Sequence, residues 1–143
     1  MNSITLSITI LFVCFFNLAK AQTPDAPTYI IESEANIGKE QSGPHKGGGN
    51  TIGYNFFGSV TDFNTVFRKR VLKPGAAIGY HEQKEDEVYY IASGNGQMQL
   101  NGKLYEVKSG DAILTRPGGS HGIKNTSDTD LVIFIIYEKH KKP

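Results

Sequence analysis

Two short stretches of the sequence carry residue types that bind metals or move protons. They are Gly79–Tyr90, with the sequence GYHEQKEDEVYY, and Gly118–Gly122, with the sequence GGSHG. In an extended strand, alternate side chains point to the same side, so His81 and Gln83 share a face at a spacing of about 6–7 Å. The second stretch offers another histidine, His121, beside flexible glycine backbone at a strand start.

A carboxylate can join these groups. Lys84–Asp86 is polar enough to turn the chain, and Glu87 then begins a new strand that can return to the side of His81. Glu87, Tyr89 and Ile91 would share one face of that strand. The two antiparallel strands would therefore aim nitrogen and oxygen atoms at one point.

Two imidazoles, one carboxylate and one amide oxygen are ligands that suit a divalent transition metal: Fe, Mn, Zn, Ni or Co. Two histidines with one carboxylate also form the facial ligand set of non-haem iron oxygenases. By spacing alone the signal is weak, since a histidine followed six residues later by a glutamate also occurs in solvated hairpins.

Short apolar runs that are rich in Val, Ile, Phe and Tyr recur from Thr51 onward at intervals of about 8–12 residues, which indicates an all-β barrel or sandwich. Asn101-Gly102 favours a two-residue hairpin turn, because both central positions need positive φ. The predicted strands are Thr51–Val60, Thr65–Leu72, Ala77–Glu82, Glu87–Ala92, Gly96–Leu100, Lys103–Val107, Ala112–Thr115, Gly122–Asn125 and Leu131–Glu138.

The N-terminus has the features of a secretory signal peptide, with an apolar block at Ile8–Phe16 and an A-x-A cleavage pattern at Ala19–Ala21. The segment before the block contains no Lys or Arg, and an uncleaved membrane anchor is the alternative. The only cysteine, Cys14, lies inside the block. A mature chain that begins at Gln22 would therefore have no thiolate for catalysis, and it would be exported to the periplasm or secreted.

Three segments follow from these patterns: a signal peptide at 1–21, an N-terminal arm at 22–50 and one β-domain at 51–143. The arm is rich in Pro, Gly and Ser and is predicted to hold at most a short strand at Tyr29–Glu32. Lys and Arg total 15 against 14 Asp and Glu, a net charge of +1. This balance gives no field that would recruit nucleic acid or, once the signal is cleaved, a membrane surface.

The order of residues resembles the two sequence motifs of the cupin superfamily, over about Phe63–Tyr137. Gly75–Gly94 follows G-x5-H-x-H-x3-E-x6-G with Gln83 in place of the second histidine. Gly110–Asn125 follows G-x5-P-x-G-x2-H-x3-N with Arg116 in place of the proline. The resemblance implies a small single-domain, antiparallel jelly-roll β-barrel.

The resemblance also implies a metal site inside the barrel. The motif positions that ligate metal in cupins are His81, Glu87 and His121 here, with Gln83 at the fourth place. The amide oxygen of Gln83 is a weaker ligand than imidazole. Three roles stay open for Gln83: a direct ligand, a partner of a metal-bound water, or a substitution that leaves the site weak.

Four side chains have more than one possible role. Glu87 is a candidate base if it loosens from the metal, and Tyr89 is a candidate donor or acid, although a barrel tyrosine more often packs. His45 either covers the barrel mouth or lies exposed in its glycine-rich loop. Arg116 either meets an anionic substrate group or is an exposed strand-end arginine.

Three functions compete. The first is an exported metalloenzyme of the dioxygenase, isomerase, epimerase or lyase type, acting on a small molecule. The second is a non-catalytic cupin module that binds a carbohydrate or metabolite, since fold does not imply function. The third is a storage-like oligomer. Cupins commonly pair through their sheet faces, so the resemblance implies a homodimer.

Overall fold

The computed structural model describes residues 28–139. The predicted signal peptide lies outside these residues. The described chain contains a one-turn helix and ten strands: α1 Glu34–Ile37, β1 Lys39–Ser42, β2 Asn50–Phe56, β3 Thr65–Leu72, β4 Ala77–Glu82, β5 Glu87–Ser93, β6 Asn95–Leu100, β7 Lys103–Lys108, β8 Ala112–Thr115, β9 Ser120–Lys124 and β10 Leu131–Glu138.

The strands form two antiparallel sheets. One has six strands in the order β1-β2-β3-β10-β5-β8, and the other has four in the order β4-β9-β6-β7. The inward-facing side chains of both sheets form one apolar core, with Leu72, Ile91, Met98, Ile123 and Ile133 all at most 2% exposed. The predicted antiparallel jelly-roll barrel is therefore confirmed.

Several strand bounds agree with the sequence prediction, among them β3, β4, β8 and β10. The predicted turn at Asn101-Gly102 has φ of 46° and 82°, which is the pair of positive values that a type I′ hairpin requires. The motif glycines Gly75, Gly94, Gly110 and Gly118 also have φ between 78° and 94°. These turns join strands that are close in sequence, so local chemistry was enough to predict them.

The N-terminal arm differs from its prediction. Tyr29–Glu32 forms no strand, and the strand of this segment is β1, ten residues further along the chain. All four residues of β1 are exposed and polar. Backbone pairing with β2 holds the strand at the sheet edge, with Lys39 opposite Gly53 and Ser42 opposite Asn50. An edge strand of this kind has no apolar pattern from which it could be predicted.

The relation between β4 and β5 also differs from the prediction. The sequence suggested two adjacent antiparallel strands, whereas β4 lies in the small sheet and β5 in the large one. Lys84–Asp86 therefore crosses from one sheet to the other. The inward faces of β4 and β5 meet across the barrel interior, which is where the site residues converge. None of the described helices is long and apolar enough to cross a bilayer.

Candidate metal centre

A β-bulge in β4 aims His81 into the barrel. Ile78 pairs with Ile123 and His81 pairs with His121, so three steps along β4 match two along β9. The extra residue reverses the alternation, so that His81 shares the inward face with the buried Ile78 while Tyr80 is 48% exposed. Without the bulge, Tyr80 would take the inward position.

His121 is the second residue of β9 and lies directly opposite His81 in the register. Its side chain is fully buried, and the two imidazole rings meet edge to face with centroids 4.7 Å apart. The strand begins at Ser120, two residues earlier than predicted, so His121 is held by strand pairing on both sides. His121 is thus fixed by the sheet rather than by the flexible backbone before it.

Glu87 begins β5 in the opposite sheet. Glu87, Tyr89 and Ile91 are all buried, whereas Val88, Tyr90 and Ala92 are not, so the predicted inward face is present. In the large sheet Glu87 pairs with Thr115 of β8 on one side and Tyr137 of β10 on the other. The carboxylate therefore approaches the two histidines from across the barrel.

His81, Glu87 and His121, hereafter the His–Glu–His cluster, place one ligand atom each within 4.8 Å of one another. Nε2 of His121 and Oε2 of Glu87 are 3.0 Å apart, an ion-pair distance if the histidine is protonated, and within the described residues neither buried atom has another polar partner. Two ligands of one ion at bonds of about 2.1 Å lie about 3 Å apart when the bond angle is near 90°. Two converging ligand atoms that contact only each other fit a divalent cation.

Hydrogen bonds to the remote ring nitrogens support the same conclusion. Nδ1 of His81 lies 2.8 Å from the carbonyl oxygen of Gly79, and Nδ1 of His121 lies 2.7 Å from Oγ1 of Thr115. A proton on each Nδ1 would be donated to these oxygens, which leaves each Nε2 with a free lone pair. Metal-ligating histidines are oriented in this way.

Gln83 follows the end of β4 and is only 6% exposed. Its backbone binds the loop before β9, since its N–H donates to Gly119 and its carbonyl accepts from Gly118. Its side-chain Nε2 donates a hydrogen bond to Oε2 of Glu85 at 3.2 Å. With the amide nitrogen in this hydrogen bond, the amide oxygen is the atom that could bind a metal. The role of Gln83 as a ligand remains a prediction.

Tyr89 is buried beside the cluster, with its ring centroid 4.9 Å from that of His121. Burial, followed by the charge of Glu87, raises the pKa of Tyr89 well above its usual value. The phenol therefore stays protonated at neutral pH and can donate a hydrogen bond but cannot act as a base. Its catalytic role remains a prediction.

His45 combines the two sequence alternatives, because the residue is exposed in its loop while its ring covers that of His81. Its ring stacks on that of His81, with centroids 3.5 Å apart and planes 3° apart. Burial, then the neighbouring His81, lowers the pKa of His45. Arg116 is exposed and pairs with Asp86 at 2.8 Å, so it is a surface ion pair.

A cavity of about 300 Å³ opens beside the cluster. Besides His81 and Glu87 it is lined by His45, Gln83, Glu85, Tyr89, Arg68 and Arg70. The sequence analysis missed both arginines and Thr115. The sequence of β3, TVFRKRVL, does indicate the position of the arginines. Arg68 and Arg70 are at alternate positions with the inward-facing Val66 and Leu72, so all four side chains lie on the same face of the strand.

Comparisons with known proteins agree with this geometry. Residues 69–137 match the family model described as the cupin domain. Over 72 residues the chain is 43% identical to an oxalate-binding protein from Thermotoga maritima, covering 50% of this chain and 60% of that protein. Over 70 residues it is 29% identical to a 5-nitrosalicylic acid 1,2-dioxygenase from a Bradyrhizobium species, covering 48% of this chain and 33% of that protein.

The chain thus spans less than two thirds of the length of these curated relatives. A solved structure from Thermotoga maritima, described as a predicted oxalate decarboxylase, superposes with a TM-score of 0.69 at 29% identity. That match covers 78% of this chain and all of the other one. The motifs, the barrel and these matches together show that the chain belongs to the cupin superfamily.

Proposed function

We propose that this chain is an exported, metal-dependent cupin that binds a small carboxylate anion of the oxalate class inside its barrel. The observation that carries the proposal is the convergence of two imidazoles and a single carboxylate. One carboxylate offsets only part of the charge of a divalent cation, so the centre stays positive and attracts anions. The names of two relatives, an oxalate-binding protein and a predicted oxalate decarboxylase, support the class of ligand.

The residues around the cluster suit such a ligand. A cavity of about 300 Å³ accommodates a small organic anion with bound water, and its wall contains the guanidinium groups of Arg68 and Arg70. His45 and His81 cover its mouth as a stacked pair. A metal held by the cluster would supply open coordination positions for carboxylate oxygens.

The test has two measurements. Elemental analysis of the purified protein is expected to find about one divalent transition metal per chain, and calorimetry is expected to detect oxalate binding that weakens strongly after chelation. His121→Ala should lose the metal and the metal-dependent part of the oxalate binding. Absence of metal even after reconstitution, or oxalate binding that is equal in the mutant, would overturn the proposal.

A second candidate is a metalloenzyme of the dioxygenase, isomerase, epimerase or lyase type. Three protein ligands would leave coordination positions of a bound metal open to a substrate, as in the iron oxygenases, and one relative is named a dioxygenase. Glu87 would accept a proton and Tyr89 would donate a hydrogen bond to the ligand. A screen of small sugar acids, diketones and dicarboxylates for turnover, with His121→Ala as control, separates this candidate from a binding module for metabolites or carbohydrates.

Export rests on the N-terminal sequence. Signal cleavage after Ala21 gives a mature chain that begins at Gln22, so intact-mass measurement of the protein from its native host tests it. A mass that includes the apolar block, with the protein in the membrane fraction, would favour the anchor.

A further inference from the structure

Two arginines face the interior of the barrel. Arg68 and Arg70 alternate along β3, where their partners across the sheet are the core residues Ile135 and Ile133. Arg70 is only 8% exposed, and a Cβ on the opposite residue, Gly53, would clash with Nε2 of Gln41 and lie 3.1 Å from Nη1 of Arg70. The absence of a side chain at Gly53 thus makes room for the side chains of both Gln41 and Arg70.

The polar partners of both side chains are few and neutral. Nη1 of Arg70 donates to Oγ1 of Thr51 at 3.2 Å, while its buried Nε has no hydrogen-bond partner in the part of the chain that the structure describes. Nε of Arg68 donates to Oδ1 of Asn55 at 3.2 Å, and its guanidinium lies 5.8 Å from the ring centroid of Tyr137. Within residues 28–139, neither arginine forms an ion pair with a carboxylate.

This arrangement is costly for the free protein. A buried cation without a counter-charge loses hydration that neutral hydrogen bonds replace only in part. Burial, followed by the charge of Arg68, lowers the pKa of Arg70, which reflects the same cost. An oxyanion would offset it, because a guanidinium offers planar, paired donors that match two oxygens.

The two arginines stand between two cavities. Together with Pro44 they line both the 300 Å³ cavity of the His–Glu–His cluster and a second cavity of about 680 Å³. The N-terminal arm and β2 bound the second cavity through Glu32, Asn36, Lys39, Gln41 and Asn55. A ligand that reaches from the cluster toward this second space must pass the guanidinium groups.

We propose that Arg68 and Arg70 form a second oxyanion site that needs no metal. The ligand is then a dicarboxylate whose far carboxylate binds the arginines while its near carboxylate faces the His–Glu–His cluster. Binding of the near carboxylate rests on the proposed function, whereas the arginine site is argued from the positions of Arg68 and Arg70 alone. Because His81 and Glu87 of the cluster line the same 300 Å³ cavity as the two arginines, one dicarboxylate can contact both groups, and succinate serves as the probe.

The test uses the full-length mature protein after removal of metal by chelation. Calorimetric titration with succinate is expected to show binding that weakens with added salt, and Arg70→Met should reduce the affinity at least tenfold. Arg116→Met, which removes an exposed arginine, is the matched control and should stay within twofold of the wild type. In the metal-loaded protein, succinate should bind more tightly than acetate, and Arg70→Met should abolish that preference.

Thermal unfolding gives an independent measurement. Arg70→Met should raise the unfolding midpoint of the ligand-free protein, because it removes a buried, unpaired charge while Thr51 keeps its bond to the carbonyl of Gln41. If Arg70→Met does not fold, the half-buried Arg68→Gln takes its place in the same titrations.

Two results would overturn the arginine site: no succinate binding without metal, or binding that is unchanged in Arg70→Met, whether or not Arg116→Met weakens it. Metal-dependent oxalate binding, together with succinate binding that is unchanged in Arg70→Met, would contradict this inference and leave the proposed function intact. Succinate binding that depends on Arg70 in a protein that takes up no metal would contradict the proposed function and support this inference.

Discussion

His45 lies flat against His81, with ring centroids 3.5 Å apart, although 36 residues separate them in the sequence. The loop that carries His45 is locked to β4, since the N–H of Gly79 donates to Pro44 and the N–H of Ala77 donates to Gly48. His45 and Lys46 both have positive φ, 53° and 61°, a backbone conformation that is strained for side-chain-bearing residues. The fold thus stores strain to hold one imidazole over another.

We expect His45→Ala to weaken metal binding by about threefold to tenfold, because an aromatic pair contributes about 0.5–1.5 kcal/mol and here it fixes the ring plane of His81. His45→Phe keeps a flat ring and should retain most of the affinity. Competition titrations with a metal-sensitive dye measure both variants. Equal weakening in Ala and Phe would show that the imidazole nitrogen, rather than the stacking, matters.

Thr115 supports His121 from the neighbouring sheet, with its Oγ1 2.7 Å from Nδ1. Thr115→Val removes this acceptor and leaves a fully buried N–H unpaired, which should destabilise the protein by about 1–3 kcal/mol. Metal affinity should fall about tenfold to a hundredfold. Thr115→Ser keeps the hydroxyl and is the control, and both quantities follow from chemical denaturation and metal titration. A valine variant with wild-type metal affinity would show that this hydrogen bond does not orient the ligand.

Local chemistry predicted much of the fold. The inward alternation of Glu87, Tyr89 and Ile91 and the turn at Asn101-Gly102 depend on residues that are close in sequence. The motif resemblance further predicted that His81, Glu87 and His121 meet. Their convergence depends on two sheets facing each other, which no spacing within one stretch encodes.

The sequence missed features that depend on long-range pairing. The bulge that turns His81 inward is defined only against the register of β9, and the polar strand β1 exists only through its pairing with β2. The space for Arg70 and Gln41 on the inner face depends on Gly53 of the adjacent strand. Each feature joins segments that are distant in sequence, so reading one segment at a time does not find it.

Gln83 is the residue at which the chain departs from the family motif within the site. Because its amide nitrogen donates to Glu85, we expect the amide oxygen to face the metal, and Gln83→Ala to lower metal affinity about tenfold. Gln83→His restores the motif and should raise the affinity, since imidazole is the stronger ligand. Metal titration of both variants is the measurement. An alanine variant with unchanged affinity would remove Gln83 from the metal environment.

The outer face of the large sheet should be a homodimer interface. Phe67 stacks on Phe134 at 5.5 Å and contacts Phe56 at 5.4 Å, while Tyr90 and Leu114 on the same face are 43% and 53% exposed. A second copy of the chain would cover this face, and a stable interface buries about 1,200–2,000 Å². Light scattering coupled to size exclusion is expected to show a dimer.

Leu114→Lys should convert that dimer to a monomer, because it places a charge on the exposed apolar face, at the edge strand β8, without disturbing the core. Leu104→Lys is the matched control: Leu104 is 60% exposed on the small sheet, so the dimer should persist. A monomeric wild type, or dissociation caused by Leu104→Lys instead of Leu114→Lys, would contradict this assignment of the interface.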